Sequence, residues 1–232
     1  MTVREMQVAF DYQIQLISET MEIADKPSSD IIVYFLNLAQ EKYIKENFLS
    51  RGQIQDNIEF IQKRSDTLRN IISRNTPAES VTPIAATEID GGIELELPAN
   101  YFYYIKSFSY LTNAITSPTT KMWTPNRPIE HYELDKVSNH LYNSPILRKP
   151  CVVFEEGDRV ILYKDKDTNI YNISFIYLRK PYTLSLDATS DNNPVGYTNE
   201  CELDEATHRD IIELAVRLFI EDYKYKLSVK QQ

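Results

Sequence analysis

The sequence predicts an α+β chain: an N-terminal helical bundle completed by a long C-terminal helix, with an antiparallel β-rich insertion between them. Three observations predict it. Apolar residues recur at helical spacing through residues 1–75, alternate at strand spacing through the middle, and return to helical spacing in "CELDEATHRDIIELAVRLFIEDYKYKL", residues 201–227. Helices, then strands, then a helix is the order of an α+β fold rather than of an alternating parallel sheet. The expected partition is 1–75 for the bundle, 76–200 for the insertion and 201–232 for the closing helix and its tail. That last helix returns to the bundle, because a helix buries its stripe only against another element.

The chain opens with a capping box. Thr2 and Glu5 stand three apart, so hydroxyl and carboxylate can satisfy backbone N–H groups reciprocally. Met6, Phe10, Ile14 and Ile17 follow at helical spacing, until "DKPSSD" breaks the pattern and Ser28 or Ser29 caps a second helix. That helix, "DIIVYFLNLAQEKYIKENFL", is apolar nearly all round in its first half, so more than one neighbour is expected to cover it; Gly52 is its expected stop. A third helix is predicted from Ile54, Ile58, Ile61, Leu68 and Ile72, whose 4-3-7-4 spacing shares one face that Phe60 and Ile71 widen. Each such residue contributes about 1.5–3 kcal/mol when fully buried. Three helices on short loops make a small bundle.

Beyond Pro77 and Pro83 the texture changes. "IELELP" alternates as a strand does, and "YFYYIKSFSYLT" is aromatic and β-branched. "SPTTKMWTPNRP" is expected to be a proline-bounded loop carrying the single Trp, and "IEHYELDKVSNHLYN" a short helix. "CVVFEEGDRVILYKDKDTNIYNISFIYLRKP" reads as three strands, with turns at Gly157–Asp158 and at Asp165–Asn169. "DATSDNNPVGYTNE" is a polar loop before the closing helix.

The closing helix has more apolar surface than one core requires. Asp210, Glu213, Arg217, Glu221 and Lys224 form one narrow charged strip, and the rest of the wheel, roughly two-thirds of it by the 3.6-residue period, is mostly apolar. Two occupants fit that arc: the helix sits at the centre of its own bundle, or one side meets another molecule.

Bulk properties narrow the class. A chain of 232 residues, 42% apolar and 25% charged, is ordinary globular material with room for a proper core. Cys151 and Cys201 form no disulfide framework, so a reducing compartment is expected. The longest apolar run, "IIVYFLNLA", is too short to span a bilayer, and the N-terminus does not read as a signal peptide. A net charge of −9 argues against gripping nucleic-acid phosphates, although it suits a protein that sits beside DNA without sticking. Sixteen tyrosines fit sheet faces and interfaces alike.

No constellation for chemistry emerges. The five glycines form neither a dinucleotide fingerprint nor a P-loop, and no nucleophile elbow is present. His131, His140 and His208 lack metal-ligand spacing and read as surface or structural histidines. "DKDTN" at 165–169 opens like a calcium loop, but Ile170 and Ile176 stand where Gly and Glu are required. Glu94 with Glu96, and Glu155 with Glu156, read as solvated acids without a third catalytic partner. No catalytic, metal or cofactor residues are therefore expected.

Three stretches in order, "LNLAQEKYIKENF", "ELPANYFYYI" and "YNISFIYLRKPYTLSL" leading to "CELDEATHRDIIELAVRLFIEDY", resemble the head-to-tail connector or ring proteins of tailed bacteriophages, above all those of crAss-like phages. The likeness runs over nearly the whole chain and departs at "LDEATH", where the family's Leu-Pro-Glu-like step is replaced and Asp204 stands as the cap. The resemblance implies a virion protein assembled in the bacterial cytoplasm as a homo-oligomeric ring, of twelve copies in many members. Such a ring lies beneath the portal protein, extends the DNA channel without binding DNA specifically, and docks other ring or tail proteins. On that reading Ile212, Val216, Phe219, Ile220, Tyr223, Tyr225 and Leu227 are expected to contact the portal or an adjacent copy. Trp123, in the 118–128 loop, is a second expected contact, with packing onto its own sheet as the alternative. The competing functions are a tail- or fibre-docking protein, a small hydrolase using Glu94, Glu96 or His131, and a nucleic-acid-binding regulator.

Overall fold

The computed structural model describes residues 1–18, 26–49, 66–74, 92–113, 117–133, 150–155, 159–164, 168–187 and 196–230. The chain divides into two compact units, Met1–Ile71 with Pro181–Gln232, and Ile72–Lys180. Residues 181–200, expected in the insertion, thus belong to the helical unit.

In the helical unit, α1 (Val3–Ser18) and α2 (Ser29–Leu49) both pack on α3 (His208–Lys230). The capping box starts α1: Thr2 N donates to Glu5 Oε2 at 2.9 Å and Glu5 N to Thr2 Oγ1 at 3.3 Å. Met6, Phe10 and Ile14 are buried as their spacing requires. Asp204 caps the 3-10 turn Glu205–Thr207 that leads into α3, its side chain accepting from Ala206 N at 3.2 Å. Phe219 of α3 meets Phe10 and Phe35 edge to face, with centroids 5.9 and 5.5 Å apart. Such pairs contribute about 0.5–1.5 kcal/mol each beyond the area they bury.

Short strand pairings close the unit around the helices. β9 (Thr183–Leu184) pairs in parallel with β10 (Tyr197–Thr198), and Thr2 bridges Glu200. Asn37, which interrupts the apolar run of α2, has a structural purpose. Its amide oxygen accepts from Leu184 N at 2.8 Å and its amide nitrogen donates to Leu184 O at 3.1 Å, so the side chain mimics a strand partner for β9. His208 is buried, with Nε2 donating to Leu203 O at 2.9 Å and Nδ1 facing the Met1 amine at 3.0 Å.

The second unit is two antiparallel-dominated sheets. One has the order β1 (Ile72–Arg74), β8 (Thr168–Arg179), β3 (Tyr101–Asn113), β4 (Ser117–Pro125); the other runs β2 (Gly92–Glu96), β7 (Arg159–Tyr163), β6 (Cys151–Phe154), β5 (Arg127–Pro128). Their core combines Leu95, Val152, Val160 and Leu162 from the second sheet with Phe175 and Tyr177 from the first, two inner faces interdigitating. Beside it lies a buried polar set. Ser109 Oγ donates to Asn126 Oδ1 at 2.7 Å, Asn126 Nδ2 donates to Ser107 Oγ at 3.0 Å, and Tyr104 Oη lies 3.0 Å from the same hydroxyl.

Four expectations need correction or fall outside the described residues. The 118–128 segment is not a loop: most of it is β4, paired to β3, with Arg127–Pro128 forming β5. Pro118 and Pro125 are tolerated because, among the described residues, β4 is the edge strand of its sheet. The third helix cannot reach Ile72, which begins β1 after a 3-10 turn at Arg69–Ile71; residues 50–65 lie outside the description. Of the short helix expected over 129–143, residues 129–133 are described; Ile129 and Glu130 are not helical and His131–Glu133 form a 3-10 turn. Of the turn expected at Asp165–Asn169, Thr168 and Asn169 instead begin β8, while 165–167, the turn at 157–158 and the glycine at 52 lie outside the described residues.

Candidate interface

The charged strip of α3 is where the wheel placed it: Asp210, Glu213, Arg217, Glu221 and Lys224 are all exposed. The apolar arc is another matter. Ile211, Ile212, Leu214, Ala215, Val216 and Phe219 are buried within the helical unit, where α1 covers one flank of α3 and α2 the other. Ile212, Val216 and Phe219 thus spend their apolar surface on the chain's own core, and the width of the arc as far as Phe219 reflects a central helix. Ile220 and Tyr223 are half-buried, and Tyr225 is 69% exposed. Leu227 falls on α3, but its side chain lies outside the described residues.

Further uncovered apolar surface sits on the two flanking helices. On α1, Val8, Tyr12 and Leu16 stand four residues apart and are exposed, Tyr12 by 63%. By the 3.6-residue period they lie about 120–160° around the helix from Phe10. Gln7 donates to Ser29 and Asp11 pairs with Lys26, marking the side of α1 toward the start of α2. Gln13 and Ile17 border a hollow with Val216 and Ile220, marking the side toward α3. The three apolar residues occupy the remaining side, a ridge on solvent. Sequence reasoning passed over them because polar neighbours break the run, though their four-residue spacing was the available signal.

On α2, more than one neighbour covers the helix as expected, since it packs on α1, α3 and β9, yet Ile31, Tyr34 and Leu38 remain exposed, Tyr34 by 62%. The exposed three line a groove of about 760 Å³ whose opposite wall is the last part of α3, with Leu218, Phe219 and Tyr223. Tyr223 stacks on Phe219 at 6.3 Å and lines the groove. Lys26, Asp30, Glu221, Asp222 and Lys226 ring its mouth, and Lys226 pairs with Asp222 at 2.6 Å. Apolar interior with a charged rim is the anatomy of a protein-binding surface.

In the sheet unit, Trp123 lies opposite Tyr110 in the β3–β4 register and its ring packs on that tyrosine at 5.0 Å, while 43% of the residue remains exposed. It rests on its own sheet, and Met122, the preceding residue and so on the opposite face of β4, is also exposed.

Two of the three groups considered for hydrolysis have separate partners: Glu94 pairs with Arg159 at 3.4 Å, and His131 Nε2 lies 3.4 Å from Glu155 Oε1. Among the described residues no cluster of three His, Cys, Asp or Glu side chains could hold a metal, and no helix is long and apolar enough to cross a membrane. Cys151 and Cys201 are buried thiols, and burial pushes both thiol pKa values up, away from the reactive thiolate.

Residues 1–231 match a family model described as phage tail ring protein 3/4. No curated protein matches the chain.

Proposed function

We propose a role for this chain from its family: it belongs to the phage tail ring proteins 3/4 of crAss-like phages. Membership makes it a structural component of the virion tail that assembles in multiple copies. The finer reading is a ring between portal and tail, built in the host cytoplasm, that extends the DNA channel and docks tail components. Twelve copies is the number the resemblance implies. A structural rather than catalytic role goes with it.

One observation carries this reading: the helical unit leaves an apolar ridge and an apolar groove uncovered at once. Single exposed apolar residues are ordinary on a protein surface, but contiguous patches with polar rims mark contacts. A net charge of −9 supports a channel lining that does not retain DNA. Purified tails, analysed by mass spectrometry and fractionated into neck and distal parts, test the assignment. The chain is expected in the neck fraction at many copies per particle. Its absence from that fraction refutes a place between portal and tail.

A further inference from the structure

We infer that copies of this chain join head to tail through the helical unit, the Val8–Tyr12–Leu16 ridge of one copy lying in the α2–α3 groove of the next. The inference deepens the ring reading and rests on it. It names the surfaces that reading leaves open.

A ring of identical subunits cannot be closed by a self-complementary patch alone. Each copy must present two different, mutually complementary surfaces, and repetition of the one contact then generates the ring. The helical unit carries such a pair. The ridge is convex, three side chains on successive turns of one helix face. The groove is concave, bounded by Ile31, Tyr34 and Leu38 on one side and Leu218 and Tyr223 on the other. An apolar helix face reading i, i+4, i+8 into an apolar groove is a recurring recognition mode. The two surfaces lie on different sides of the unit, since the ridge is turned away from both α2 and α3. A subunit therefore cannot satisfy its own groove with its own ridge.

Charge is mixed on both surfaces: Arg4 and Glu5 are exposed at the start of the ridge, and Lys26, Asp30, Glu221, Asp222 and Lys226 line the groove. Tyr12 and Tyr34 are the largest side chains of the two surfaces, and Tyr supplies contact area at low entropy cost.

Disulfide trapping in assembled tails tests the contact. Tyr12→Cys and Leu38→Cys are supplied together on one tagged chain during infection, the tails are purified and oxidised, and the products are run without reductant. Both positions are exposed and both native thiols are buried, so the engineered pair reports contact between copies. A ladder of dimers, trimers and higher multimers is expected from the double variant, and none from either single variant. Val8→Cys with Ile31→Cys is the second pair, used if the first does not enter tails. Tails that contain a double-cysteine chain yet yield only monomer overturn the inference and leave the ring reading standing. Dimers from a single variant overturn it too, because they indicate a symmetric contact. A wild-type tagged chain missing from tails removes the ring reading itself.

Discussion

The ring of Phe219 on α3 stands edge-on to that of Phe35 on α2, centroids 5.5 Å apart and planes at 85°. Phe10 of α1 approaches the same ring, so one side chain is shared by all three helices. The residue sits in the arc that could equally have faced a partner, and it is only 7% exposed.

Replacing it tests that central position. Phe219→Ala removes the shared ring and leaves a cavity among α1, α2 and α3, which costs about 3–5 kcal/mol. Urea unfolding followed by far-UV circular dichroism should show the midpoint falling by that equivalent. A loss below about 1 kcal/mol, the usual range for surface positions, would mean the ring is not packed as described.

The polar set of the sheet unit responds differently to its members. Asn126→Ala leaves the buried Ser107 and Ser109 hydroxyls short of a partner, although Ser107 keeps Tyr104. An unsatisfied buried group costs about 1–3 kcal/mol. Ser109→Ala, which strands only one acceptor of Asn126, should cost less than Asn126→Ala when the two are compared by denaturant unfolding.

His208 makes stability depend on pH. Burial lowers its pKa below the ordinary 6.5, reinforced by the Met1 amine, while the contact with Leu203 O opposes the shift. The unfolded chain therefore binds a proton that the folded chain refuses. Stability contributed by neutral His208 is intact above pH 6.5 and declines as pH falls below it, because the unfolded state binds more protons there. His208→Gln, which retains a donor near Leu203 O, should flatten the slope of unfolding free energy between pH 7 and 5. An unchanged slope would assign that dependence to other groups.

Removing residues 221–232 takes away most of one wall of the groove, Tyr223 included, while leaving Ile211–Phe219 in place. The truncated chain is expected to keep its cooperative unfolding yet fail to enter tails. Incorporation at wild-type levels would contradict a role for that wall.

Much of the architecture was legible because its signals are local. The Thr2–Glu5 box, the Met6–Phe10–Ile14 stripe, the Asp204 cap and the strands at 92–96, 101–113 and 151–179 each announce themselves within a few residues. The interface was not legible in the same way. Periodicity records that the α3 arc needs cover without saying who provides it, and α1 and α2 provide it as far as Phe219. The ridge on α1 escaped notice because Val8, Tyr12 and Leu16 are separated by Asp11, Gln13 and Gln15. Strand β4 escaped because Pro118 and Pro125 read as loop punctuation, and only pairing with β3 overrides that. Asn37 looked like an interruption in an apolar run, and its partner Leu184 is 147 positions away.

Electron microscopy of the phage neck at side-chain resolution tests the central claim most directly. The expected image is a closed ring of this chain in which Tyr12 of each copy lies beside Tyr34 and Leu38 of the next. A neck ring built from this chain with Val8, Tyr12 and Leu16 bare to solvent, or covered by a different protein, would contradict it.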